Sequence, residues 1–478
     1  MDSPRAQRST LRPSGAPDVS LVTRNTALPD EAVRGLWQAR PVAQARVLVG
    51  RFTASHLPSR LLRAEASWVL VANLLGLGIT LAAHAWLARM LAVDGYGQFA
   101  LALSVTTVLS ALARLGWDTA AQRFVPKYLE LADGARLAGF LHVGRRRVLG
   151  AGTAISICLI SARAFDLLPI GMARCSSALA ALVPLQACLL WQASCMRAAG
   201  RVALAQTAVE VVRPLGLAGG CLVFVHCVAR PLSAAETLAV YAAATLLSGI
   251  LLVYASRAHR WNAFVEANFD ELPQWKGTSR PLVVASLLEM AYDQADMLLV
   301  GGLLGAPAAG SYALAARLAK LPIAVNSAIT MTAVPRMAAA QAAGRLHEFR
   351  AIARGASIAM FAAAAVAALI VIGGAPFGLR WLGRGFAAAM VPLAVMLVGR
   401  TVAAAYGPAL QALPLVGQAR RVPIYLAIGL AIQAVAGAIL IPLGGASTAA
   451  IVRSAAVIVS VQLARMAAKR TQHATTPS

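Results

Sequence analysis

The sequence predicts an all-α integral membrane protein: about twelve transmembrane helices in two parallel-repeat six-helix lobes around a central cavity. Three observations carry this. The 478 residues are 59% hydrophobic and 13% charged, with a mean hydropathy of +0.68. A soluble core could not absorb so much apolar sequence, whereas a bilayer can. The basic residues fall in short segments between apolar runs, and a stretch of the first half returns, degraded, in the second.

In chain order, residues 1–64 are rich in Arg, Pro and Ser, with ten arginines and no lysine. Such a composition buries no core, so a basic disordered cytoplasmic tail is expected. A polybasic strip that holds anionic lipid is the functional alternative. The first long apolar run begins only near Ala66, so no secretory signal is expected.

Crossing roughly 30 Å of hydrocarbon takes about 20 helical residues. Runs of that kind fall at 66–92, 97–118, 147–169, 175–196, 211–230, 234–256, 281–304, 308–335, 353–376, 385–413, 423–442 and 446–467. They group as an N-terminal lobe (65–257), a cytoplasmic interfacial linker (258–280), a C-terminal lobe (281–468) and a cytoplasmic tail (469–478). The linker carries Trp261 and Trp275, whose indoles suit headgroup depth.

Of the 43 Lys and Arg, the outer connections on this map take only Arg163, Arg174, Arg230, Arg380 and Arg384. That asymmetry puts both termini inside. It also accounts for the formal net charge of +24 without nucleic acid, which would need a basic solvated domain.

The repeat is specific in places. Gly97–Ala102 (GQFALA) is echoed by Gly310–Ala315 (GSYALA), and Val125-Pro126-Lys127 by Val334-Pro335-Arg336. Arg136-Leu137 and Phe140 answer Arg345-Leu346 and Phe349 at one offset. An even number of spans separates the copies, so they share an orientation. Their pseudo-symmetry axis then runs along the membrane normal, with the substrate path between the lobes.

Ionisable groups at bilayer depth cost roughly 2.5–3.5 kcal/mol each and need an account. Glu289, Asp293 and Asp296 share one face of the seventh span, and Arg317 and Lys320 one face of the eighth. Distance from the hairpin tip pairs Asp293 with Arg317 and Glu289 with Lys320 in depth. Two readings stay open: interhelical ion pairs, or a proton- or sodium-responsive carboxylate cluster beside cationic substrate ligands.

Arg400, mid-way along the tenth span, has no acid near it in sequence and is the best candidate for an unpaired cation facing a cavity. Arg114, four residues before Asp118, reads as a snorkelling group or local salt bridge with a lesser claim on substrate. His84 and Arg89 are weaker candidates, and Arg453, Glu210 and Arg213 read as helix-end or interhelix contacts. Several cations at depth call for an anionic partner such as a pyrophosphate or an acidic sugar.

No P-loop, Asp-rich metal loop or nucleophile-and-base set is present, so neither an ATPase nor another enzyme is expected. The six cysteines form no metal-binding spacing and read as packing residues; no metal or cofactor is expected.

The GYGQFALALSVTTVLSALARLGWDTAAQRFVPKYL segment, the Asp293–Val300 run DQADMLLV, GSYALAARLAKLP and VPRMAAAQAAGRLHEF together resemble the polysaccharide-flippase branch of the multidrug/oligosaccharidyl-lipid/polysaccharide exporter superfamily. The resemblance covers residue 65 onward. It implies translocation of undecaprenyl-pyrophosphate-linked repeat units across a bacterial inner membrane by two rocking lobes, for O-antigen, exopolysaccharide or capsule. It implies coupling to a proton or sodium gradient through Glu289, Asp293 and Asp296, with anion contacts from Arg400, Arg317, Lys320 and Arg114. Partners would be the lipid-linked oligosaccharide, membrane lipid and polysaccharide polymerase or export machinery. The alternative is a cation-coupled small-molecule exporter of the same superfamily. Ser104 aligns with Arg317, so a symmetric cavity is not expected.

Overall fold

The computed structural model describes residues 59–167, 170–228, 230–258 and 266–474. Residues 1–58 of the expected basic tail, and Trp261, lie outside the described residues. By contact density the described residues from Arg63 onward form one compact unit.

The described residues are helical throughout, without a strand: α1 Ser59–Ala113, α2 Trp117–Glu130, α3 Gly134–Ala164, α4 Ile170–Ala198, α5 Val202–Gln206, a π-helical turn Thr207–Val212, α6 Arg213–Val228, α7 Ala234–Ala258, α8 Leu272–Leu304, α9 Ala306–Leu318, α10 Leu321–Ala342, α11 Leu346–Leu382, a 3-10 turn Arg384–Ala389, α12 Met390–Ala404, α13 Ala409–Leu415 and α14 Arg421–Ala474. Eight helical stretches are long and apolar enough to cross a membrane, so this is a multi-pass membrane protein.

Two of the eight are hairpins. The rings of His84 and Tyr96 lie 6.1 Å apart, although the 12 residues between them would span about 18 Å of unbroken helix. The chain reverses at Ala92 (φ 54°, ψ −179°). α14 reverses likewise at Gly445 (φ 68°, ψ −160°), which brings Arg453 within 3.2 Å of Gln433. Gly305, between α8 and α9, has the same backbone (φ 82°, ψ −177°). The helices α8, α9 and α10, which carry Glu289, Asp293, Asp296 and Arg317, are not among the eight.

The repeat has a three-dimensional counterpart. A Cβ on Gly97 would stand 1.8 Å from the Ala306 carbonyl oxygen, and one on Gly310 would stand 2.1 Å from that of Val93. Gly97 and Gly310 are equivalent in the repeat, as are Val93 and Ala306. Each copy thus presents the same backbone to the other, the reciprocity of a two-fold contact. Around it Leu87, Tyr96, Phe99, Tyr312, Leu393 and Phe386 form one buried core that draws on both copies.

One expectation at the linker needs correction. Trp275 is fully buried and donates from Nε1 to the Tyr128 hydroxyl at 2.6 Å, so it is a core residue and not a headgroup anchor. Phe140 and Tyr128 supply the aromatic surfaces that take its ring out of the interface. α8 begins at Leu272, inside the expected linker, and α14 runs through to Ala474.

Candidate substrate and coupling site

α8 packs along α14, and its carboxylates meet a guanidinium there. Arg453, 6% exposed, donates from Nη2 to Asp293 Oδ1 at 3.0 Å, while its Nη1 stands 3.7 Å from Asp296 Oδ1. Nη1 also donates to Gln433 Oε1 at 3.2 Å and to the Tyr292 carbonyl. Gln433 Nε2 donates to the same carbonyl at 3.2 Å, and the Tyr312 hydroxyl donates to Asp296 Oδ2 at 2.8 Å. A buried guanidinium needs opposite charge and acceptors, and this arrangement supplies them to Nη1 and Nη2, while Nε has no partner among the described residues. The two carboxylates differ: Asp296 is buried, whereas the Asp293 side chain is 59% exposed.

The expected Asp293–Arg317 and Glu289–Lys320 pairs do not form; among the described residues the partner of Asp293 is Arg453. Distance from the hairpin tip fixes depth but not azimuth, and α8 turns this face toward α14.

Three cations stand free of such pairing. Pro322 has no N–H to continue the helix, so the chain breaks between α9 and α10, and Lys320 sits at the break. Its side chain is exposed, yet Arg317, Asp293, Arg400 and Arg453 all lie within electrostatic reach of it. Those groups come from α9, α8, α12 and α14. An exposed group ringed by four helices faces a water-accessible interior.

Arg400 is half-buried on α12 and lies within reach of Arg453, Asp293 and Asp296. Neither Arg400, Lys320 nor Arg317 has a carboxylate within 4.0 Å among the described residues. The cluster thus holds four cations, Arg317, Lys320, Arg400 and Arg453, against Asp293 and Asp296. The surplus is positive and attracts an anion.

Arg317 also lines a cavity of about 320 Å³ between α1, α9 and α11 whose wall is otherwise apolar apart from His84. Tyr96 is beside Arg317, and Lys320 and Arg213 lie within reach of His84. Further along α8, the exposed Glu289 faces Asp293, Arg114 and Asp118. Arg114 is tied to Asp118 at 2.6 Å, with 12% exposure on each side chain. It is therefore a paired group, unlike Arg400.

Asp293, Asp296, Lys320, Arg400 and Arg317 thus come together; Glu289 faces Asp293 from one turn along α8, and Arg114, just past the end of α1, is held by Asp118. Arg453, read from sequence as a helix-end or interhelix contact, makes that interhelix contact, with partners on α8 that sequence did not name. Tyr312 is the residue sequence reasoning missed.

A family model described as "Polysaccharide biosynthesis protein" matches residues 198–382. No curated protein matches the chain by sequence. Among solved structures, the lipid II flippase MurJ in an inward closed conformation superposes with a TM-score of 0.64 at 12% identity, covering 85% of this chain and 87% of that one. An inward-facing multidrug resistance MATE family transporter of the MOP superfamily gives 0.61 at 14%, covering 82% and 96%. The Vibrio cholerae MATE transporter VcmN in its bent form gives 0.55 at 16%, covering 86% and 98%.

Proposed function

Since the chain has the fold of the multidrug/oligosaccharidyl-lipid/polysaccharide exporter superfamily and its middle third carries a polysaccharide-biosynthesis sequence pattern, we propose that it translocates polyprenyl-pyrophosphate-linked oligosaccharide repeat units across a bacterial inner membrane. The observation that carries this reading is the set of cations without carboxylate partners among the described residues, Arg400 and Lys320 with Arg317, beside a water-accessible interior. A pyrophosphate brings the counter-charge they lack. The apolar cavity beyond Arg317 offers a wall suited to lipid next to that charge.

In this mechanism the two repeat lobes, 65–257 and 281–468, rock so that the glycine contact parts in one state and closes in the other, with both termini cytoplasmic. Arg400, Lys320 and Arg317 hold the pyrophosphate, and Arg114 guides it from the side of Asp118. Asp293, exposed and joined to Arg453, is the group from which a proton or sodium ion releases the guanidinium. Asp296 fixes Arg453 in place, and Glu289 relays charge between Asp293 and Arg114.

The test is deletion in the native host, scored for surface polysaccharide and for lipid-linked repeat units left in the inner leaflet. Loss of glycan with accumulation of the lipid-linked unit is expected. Unchanged glycan with altered resistance to cationic drugs would overturn the proposal in favour of a small-molecule exporter. Complementation with Arg400→Ala should lower export at least about tenfold, the value of one charge-assisted hydrogen bond, with the protein still inserted.

A further inference from the structure

A second cavity, of about 650 Å³, lies outside the charged cluster, in a groove between α3, α4 and α7. Its polar end is on α3. That helix has 31 residues, about 46 Å, so it outruns the roughly 30 Å of hydrocarbon. The 20 residues from Arg145 to Ala164 are enough to cross, which sets His142 and Arg145 at one membrane boundary, with Arg146 and Arg147 beside them.

Both His142 and Arg145 line the cavity, and Arg145 lies within electrostatic reach of Cys188 on its wall. Among the described residues no acidic side chain lines it. The Thr245 and Ser256 hydroxyls, also on the wall, are spent on their own helix carbonyls.

Trp191 lines the same cavity at 5% exposure, and its Nε1–H has no hydrogen-bond partner. The indole edge lies against Gly144, next to Arg145: a Cβ on Gly144 would stand 2.8 Å from Trp191 Cζ2 and 3.1 Å from Cε2, the carbon bonded to Nε1. At this end the cavity presents Arg145 and His142, with the Trp191 ring as a packed wall behind them and its nitrogen sealed from the cavity. The complement is an acceptor-rich anion.

Away from that end the wall is Leu149, Leu246, Ile250 and Val253. Leu149, Leu246 and Ile250 are 42%, 46% and 55% exposed on the surface of a membrane protein, so the groove opens sideways into lipid. A phosphate head at one end and a hydrocarbon slot leading to the bilayer describe an amphiphile.

We infer that this groove is a binding site for an anionic phospholipid of the surrounding bilayer: the headgroup phosphate accepts from Arg145 and His142, and one acyl chain lies along Leu149, Leu246 and Ile250. The site uses none of the residues assigned to translocation and stands independently of that assignment.

The full chain, purified into phosphatidylcholine nanodiscs, is titrated with phosphatidylglycerol, with bound lipid counted by native mass spectrometry and thermal melting followed in parallel. Wild type should retain phosphatidylglycerol and melt higher with it. Arg145→Ala should weaken retention about tenfold, and His142→Ala should weaken it by less. Arg146→Ala, a neighbour that does not line the groove, should behave as wild type. Equal losses in Arg145→Ala and Arg146→Ala would reduce the effect to diffuse surface charge and overturn the site. Retention of phosphatidylcholine as strong as that of phosphatidylglycerol would do the same. Displacement of phosphatidylglycerol by an equimolar polyprenyl phosphate would reassign the groove to the transported lipid.

Discussion

Arg453 separates two carboxylates that look alike in sequence. Asp296 is buried between Arg453 and the Tyr312 hydroxyl, so Asp296→Asn leaves a buried guanidinium short of charge, at a cost of about 3–5 kcal/mol. Asp293 holds the same buried arginine from the solvent side, its own side chain 59% exposed, so water offsets most of the charge lost with it and the cost falls toward that of a solvent-screened pair, about 1 kcal/mol. Asp293→Asn should therefore melt within a few degrees of wild type in detergent while Asp296→Asn melts far lower; on the proposed mechanism, Asp293→Asn still exports poorly. Equal destabilisation by the two changes would remove Asp293 from any switching role. The sequence made the depth of these charges readable, because an ionisable group inside an apolar run stands out at once. It did not make their partners readable: Arg453 lies 160 residues from Asp293, and only the packing of α8 on α14 joins them.

At the scale of elements, the reversals at Ala92, Gly305 and Gly445 share one backbone conformation, and Ala92 is the copy that lacks a glycine. With φ 54° and ψ −179° it occupies a region essentially reserved for glycine, at a cost of about 1–3 kcal/mol. Its methyl is exposed, so Ala92→Gly gives up no packing and should stabilise the protein by about 1 kcal/mol, read as a higher melting temperature. The turn between α8 and α9 was legible from GGLLGAPAAG, whereas nothing in LAVDGYG announced that the reversal falls at the alanine rather than at Gly95. A second element-scale device ties α2 to the start of α8. Glu271 accepts from the Tyr128 hydroxyl at 2.6 Å and from Lys127 Nζ at 2.9 Å. The Tyr128 hydrogen bond, then Lys127, hold its carboxyl below the usual range against the opposing effect of burial. Burial first, and then Glu271 itself, push the Tyr128 phenol up, so it stays a donor. A depressed carboxyl contributes stability above its unfolded value, about pH 4.3, and loses it as pH falls through the lower folded value. Melting followed downward from neutral pH should drop in that acid window for wild type. Glu271→Gln should start about 1 kcal/mol lower and show a flatter acid limb; an unchanged limb would mean the latch does not bear on stability.

For the whole molecule, the repeat was readable in the echo of GQFALA by GSYALA, but the contact between the two copies was not. Only the folded chain shows that the echoing glycines face each other, Gly97 against Ala306 and Gly310 against Val93. Glycine is required at both because the obstacle is backbone on each side, which cannot rotate away as a side chain would. In the proposed cycle the lobes separate at this end in one state and close in the other, so a methyl group here penalises the closed state alone. Gly97→Ala, with a Cβ 1.8 Å from a carbonyl oxygen, should shift the population toward separation. Asp94 and Pro307 flank the contact as equivalent, exposed positions of the two copies. A cysteine pair there, in a chain whose exposed Cys158 and Cys227 are replaced by serine, should cross-link readily with a short reagent and lose most of that yield when Gly97→Ala is added. The same loss should follow from Gly310→Ala, because the two sites are reciprocal. If the yield stays level and melting falls instead, the glycine contact is a fixed part of the core and the lobes move about some other line.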